Sequence, residues 1–159
     1  MKQTSKINWF EPIVFLFFGL FHIHRIWGLI DRDSYSSYWL SLLNNQGFIY
    51  YILMGIMSVL CIAGILVFIR NTGKNHWWRW FYIFGGGYVL FDLCCILVGW
   101  SFWNRLLNWM FEVTNPYWNI IWGFFILLGF VSLFIGTFLV KSRNSYSTPK
   151  EKACLRNIG

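Results

Sequence analysis

Of the 159 residues, 57% are hydrophobic and only 12% are charged, where a soluble domain averages about 25% charged. With a mean hydropathy of +0.51, the chain has too few charges to cover a water-facing surface, which argues against a soluble domain. The net charge of +7 lies outside the apolar runs, so it reads as orientation in a membrane rather than nucleic-acid binding, and the aromatic richness reads as lipid contact rather than base stacking.

Residues 1–8 form a short polar lead with Lys2 and Lys6. The apolar run 10–30 that follows lacks a small-residue cleavage site, so it reads as an uncleaved signal-anchor helix. Glu11 and Pro12 fall in its first turn, where the helix dipole favours an acid and proline loses no hydrogen bond. His22, His24 and Arg25 lie past its midpoint. Ionisable groups inside a span are costly and therefore functional suspects.

The connection 31–47 predicts an amphipathic helix. Tyr35, Tyr38, Trp39, Leu42 and Leu43 share one face, with Ser34 as N-cap and Gly47 as the stop. Such a helix lies at the interface or folds back over the bundle. The second span, 48–69, has Gly55, Ser58, Cys61 and Gly64 as a small-residue side, suited to close helix approach. A basic turn with Arg70, Lys74 and Arg79 follows, flanked by Trp77, Trp78 and Trp80.

The third span, 80–100, places Gly85, Tyr88, Asp92, Cys95 and Gly99 on one small, polar face, which should point into the bundle. Its Gly85-Gly86-Gly87 run lacks the lysine and setting of a phosphate loop. The connection 101–115 again predicts an amphipathic helix, through Trp103, Leu106, Leu107, Met110 and Phe111. Asn115-Pro116 then reads as an N-cap with proline at the first helical position. The fourth span, 117–140, has Gly129, Ser132 and Gly136 as its small face, and 141–159 is a basic cytoplasmic tail expected to be disordered.

The expected fold is thus an all-α, four-transmembrane-helix bundle (residues 1–140) with two short amphipathic helices in the outer connections. Ten basic residues fall on one side (Lys2, Lys6, Arg70, Lys74, Arg79, Lys141, Arg143, Lys150, Lys152 and Arg156) and three on the other (Arg25, Arg32 and Arg105). That bias puts both termini in the cytoplasm. The absence of an N-x-S/T acceptor site fits a bacterial cytoplasmic membrane. Shifting the chain by 68 aligns Thr4 with Thr72, Lys6 with Lys74, Trp9 with Trp77, Gly19 with Gly87 and Gly55 with Gly123. A duplicated hairpin is one reading of this; chance matching in a four-span chain is the other.

His22 and Asp92 both fall about 18 Å into their spans, just outside the midplane. His22 and Arg25 share a face, and Asp92 is expected to meet one of them. His24 points away, toward the outer helix or Asp31. His22, His24, Arg25, Asp92 and Tyr88 form the candidate polar cluster. No catalytic residue is assigned: nucleophile motifs, paired intramembrane carboxylates and nucleotide loops are absent. No metal or cofactor is assigned either, because an i, i+2 histidine pair splays its ligands on a helix. Cys61, Cys94 and Cys95 read as small hydrophobes.

Three functions remain. The first is an accessory, regulatory or structural subunit working by helix–helix interaction, with a membrane protein partner or a second copy and the cluster as a structural clasp. The second is a small transporter or a ligand- or ion-binding protein using the cluster. The third is a membrane-embedded enzyme acting on a lipid-like substrate, which would need a cavity reaching lipid or lying under an outer helix.

Overall fold

The computed structural model describes the backbone of residues 7–71 and 76–156, with side chains through residue 143. It is all-helical, without a strand among those residues. Among the described residues, four helical stretches are long and apolar enough to cross a membrane: Glu11–Ile30, Phe48–Arg70, Trp77–Val98 and Trp118–Arg143. They fit an integral membrane protein.

The first stretch is not one continuous helix. α1 (Glu11–Ile23) gives way to α2 (Ile26–Ile30) at His24 and Arg25. There the backbone tightens to i→i+3 bonds, Arg25 N–H to His22 O at 3.2 Å and Gly28 N–H to Arg25 O at 2.9 Å. The straight-helix geometry expected across 10–30 therefore fails at the positions that carry the polar side chains.

α3 (Arg32–Asn45) forms where its apolar face predicts it, but both ends differ from expectation. Asp31, not Ser34, is the N-cap: its carboxylate accepts from the Ser34 N–H at 3.0 Å. The helix closes on Gln46 in the left-handed region, φ 43, so Gly47 instead opens α4 (Phe48–Arg70). A 3-10 turn at Trp77–Arg79 leads into α5 (Trp80–Val98). Gly99, expected on the polar face of the third span, ends α5 with φ 70, a conformation that costs an L side chain but not glycine. α6 (Ser101–Phe111) follows. Asn115 caps the turn before α7, its Oδ1 accepting from the Tyr117 N–H at 2.9 Å. α7 (Trp118–Arg156) runs past the fourth span into the tail segment; residues 1–6 and 157–159 of the lead and tail lie outside the described residues.

Two helix pairs dominate the packing, α1 with α7 and α4 with α5. Small residues make the first approach possible. A Cβ added at Gly129 would sit 2.9 Å from His22 Cβ and 3.1 Å from Gly19 O; one at Gly136 would sit 2.9 Å from Leu16 Cγ. In the second pair, Gly64 receives the Tyr82 ring and Gly86 faces Cys61, while Gly55 has open space around it. Without water to drive helices together in lipid, such close backbone approach is a main source of their attraction. Exchanging α1 with α5 and α4 with α7, as the offset of 68 does, converts one close pair into the other.

α3 and α6 fold over one end of these pairs. The Ser36 hydroxyl donates to Phe111 O at 2.6 Å, tying the two caps together. Tyr35, Phe111, Trp118 and Trp122 form a buried aromatic core beneath them. The Trp118 indole donates to Gly28 O at 2.8 Å and so anchors α7 to α2. A second core, with Val14, Phe15, Trp78, Tyr82, Ile135 and Leu139, closes the opposite end.

Candidate functional site

At that opposite end lies a buried ion pair that the residue pattern did not single out. Arg79 Nε donates to Glu11 Oε1 at 2.8 Å and its Nη2 to Oε2 at 3.0 Å, with both side chains fully buried. The Asn8 N–H adds a third bond to Oε2 at 2.6 Å, and the Trp78 indole reaches Oε1 at 3.4 Å. A bidentate arginine fork with extra donors is the geometry that offsets the desolvation of both charges. In the sequence, the helix dipole alone accounts for Glu11 and the basic turn for Arg79. The missed signal is an acid within an apolar span, which needs a cation.

The capped end is organised differently. Arg25 projects from the α1–α2 break among aromatic faces, its guanidinium carbon 4.5 Å from the Phe125 centroid, 5.0 Å from Trp122 and 5.6 Å from Phe21. A desolvated cation–π contact is worth about 2 kcal/mol or more. Arg25 also lies within hydrogen-bonding reach of the Tyr35 hydroxyl. Burial pushes that hydroxyl up to about 12, with the charge and hydrogen bonding of Arg25 opposing, so Tyr35 is a neutral group at ordinary pH. Arg25 Nε nevertheless has no hydrogen-bond partner.

Asp92 comes from the middle of α5 and accepts from the Trp103 indole of α6. It is not joined to Arg25: among the described residues neither has a charged partner within ion-pair distance. The expected direct clasp across the bundle is therefore absent. Both instead line one cavity of about 280 Å³ between the two helix pairs and beneath the caps, together with His22 and Tyr88. His22 stacks on Phe125 with ring centroids 5.6 Å apart, and its Nδ1 is buried without a partner.

His24 does not share this cavity. It is hydrogen-bonded to Phe21 O through Nδ1, and its ring packs against Tyr35 and Trp39 of α3. It lines a shallow neighbouring groove with Trp27, Tyr38 and Ile49. Phe21, Trp39 and Leu53 line both spaces, so they form the wall between groove and cavity. Among the described residues no three His, Cys, Asp or Glu side chains gather as a metal set. Cys61 and Cys95 are buried free thiols, while Cys94 is exposed.

The cavity has a chemical gradient. Lining positions on α5 run from Phe81 to Ile96, a rise of about 22 Å. Toward the Glu11 end its walls are Val14, Phe15, Phe18 and Leu60; toward the caps the polar groups His22, Arg25, Tyr88, Asp92 and Trp103 join apolar Leu53, Leu106 and Leu107. All five residues of the α6 apolar face (Trp103, Leu106, Leu107, Met110 and Phe111) line it. The amphipathic face of α6 is thus spent on a lid rather than on lipid alone. A site with apolar walls and a few converging polar groups is the usual form of a small-molecule pocket. No protein family model matches the chain, and no curated protein or solved structure is detectably similar to it.

Proposed function

We propose that the chain is a multi-pass membrane protein, both termini cytoplasmic, that binds a small amphiphilic molecule in the cavity between its helix pairs. The apolar part of the ligand would occupy the end lined by Phe15 and Phe18. Its polar part would meet Arg25, His22, Tyr88 and Asp92 under the α3 and α6 caps. The ten-to-three distribution of basic residues supports the orientation. The observation that carries the binding reading is the unpaired state of Arg25 and Asp92 on the walls of one cavity. A structural clasp would bring them together; a binding site holds them apart. A lid built from the apolar face of α6 adds support, since burying that face over an opening serves a compartment.

The test is purification in mild detergent, then extraction and mass spectrometry of whatever accompanies the protein. Gly85 lines the cavity, and a Cβ there meets nothing within 4 Å, so Gly85→Leu narrows the space without a backbone clash. The expected result is an amphiphile at fixed ratio in the native chain, lost in Gly85→Leu while the folded yield holds. Identical lipid content in both proteins would sink the reading. A membrane protein copurifying at fixed ratio with both would favour the accessory-subunit function instead.

A further inference from the structure

The two unpaired charges at the capped end define the head that the cavity accepts, given that the cavity is a binding site. Arg25 belongs to the wall built by α1 and α7, and Asp92 to the wall built by α4 and α5. Each is held by neutral neighbours: Arg25 by aromatic faces, Asp92 by the Trp103 indole. An anionic head would complement Arg25 but stand against the Asp92 carboxylate. A cationic head would do the reverse. A neutral head would leave two charges facing each other across a poorly solvated space, where uncompensated charge is expensive.

We infer that the cavity selects a zwitterion attached to an apolar body, with the anionic group at Arg25 and an ammonium group at Asp92. The buried, unpartnered Nδ1 of His22 offers a further hydrogen bond beside Arg25. The volume of about 280 Å³ lies at the small end of ligand pockets. That favours an apolar amino acid or a single chain over a two-chain lipid. Two sources share the chemistry: a free apolar amino acid from water, and a single-chain zwitterionic lipid from the bilayer.

The experiment measures equilibrium binding to the full-length chain in mild detergent with five radiolabelled probes. Leucine, phenylalanine and lysophosphatidylethanolamine are the zwitterions. Dodecanoate and dodecylamine are the single-charge controls. The native protein is expected to bind one zwitterion about tenfold more tightly than either control, and the winning probe names the source. Asp92→Asn should weaken the zwitterion and strengthen dodecanoate; Arg25→Gln should weaken the zwitterion and strengthen dodecylamine. Where Arg25→Gln gives no folded protein, the gain of dodecanoate binding in Asp92→Asn decides alone, because that substitution keeps an acceptor for Trp103. A control bound as tightly as every zwitterion, and lost in Gly85→Leu, overturns the zwitterion while sparing the binding site. Failure of the native protein to bind any probe overturns both.

Discussion

The two ends of this molecule handle the same problem in opposite ways. Each has an arginine and a carboxylate that the helices bring into the interior. At the Glu11 end the two close into a fork with both partners fully buried. At the capped end Arg25 and Asp92 stay apart, one supported by aromatic rings and the other by an indole N–H. Closing a pair satisfies both charges and leaves nothing for a ligand. Holding a pair open keeps both charges available, and aromatic and indole contacts lower the cost. The contrast separates a charge pair that fastens helices from one that addresses a cavity.

The largest effect should come from breaking the closed pair. Glu11→Ala removes the carboxylate held in the bidentate fork of Arg79, and removing one partner of a buried ion pair costs about 3–5 kcal/mol. The folded fraction on size exclusion should collapse. Replacing both partners with apolar residues should recover part of it, as a double-mutant cycle would read. Unchanged yield in Glu11→Ala would erase the distinction between the two ends.

Next comes the helix contact that positions His22. Gly129→Val places a Cβ where His22 Cβ and Gly19 O leave no room, and overpacking of this kind costs about 1–3 kcal/mol. The thermal midpoint in detergent should fall, and cavity binding should weaken with it because His22 must move. Gly123→Val, where an added Cβ meets nothing within 4 Å, should leave both intact.

The pH response sharpens the contrast further. Tyr35 is held at about 12 against an ordinary 10.0. A raised acid pKa means the folded state keeps its proton longer than the unfolded one. Tyr35 therefore contributes no pH dependence below about 10, and stability should fall by about 2 kcal/mol between 10 and 12. Tyr35→Phe should flatten that part of the curve, measured as the difference in thermal midpoint from the native chain. A parallel decline in both proteins would show that Tyr35 is not sealed under the caps.

The smallest stability change is expected at the open pair. Asp92→Asn keeps an acceptor for Trp103 and removes a charge with no ion-pair partner, so it should shift stability by less than about 1 kcal/mol. Its effect should instead appear in ligand selectivity. A loss as large as that of Glu11→Ala would mean that Asp92 fastens helices after all.

Length and hydropathy placed the four spanning stretches, because long apolar runs need only one-dimensional counting to be recognised. The 3.6-residue period likewise marked α3 and α6 and their apolar faces, and the small residues Gly129 and Gly136 marked one side of the closest helix contact. Which charges meet was not legible. Glu11 and Arg79 lie 68 positions apart, and nothing in either neighbourhood names the other. Helical geometry put His22 and Arg25 on one face, and both meet Phe125 and line one cavity despite the tightened turn. Whether Arg25 reaches Asp92 or a cavity lies between them depends on the separation of two helix pairs. That separation is set by glycine contacts, aromatic bulk and two folded-over caps acting together. Periodicity along a chain determines what each helix presents; only the packing of helices against one another decides what each presented group finds.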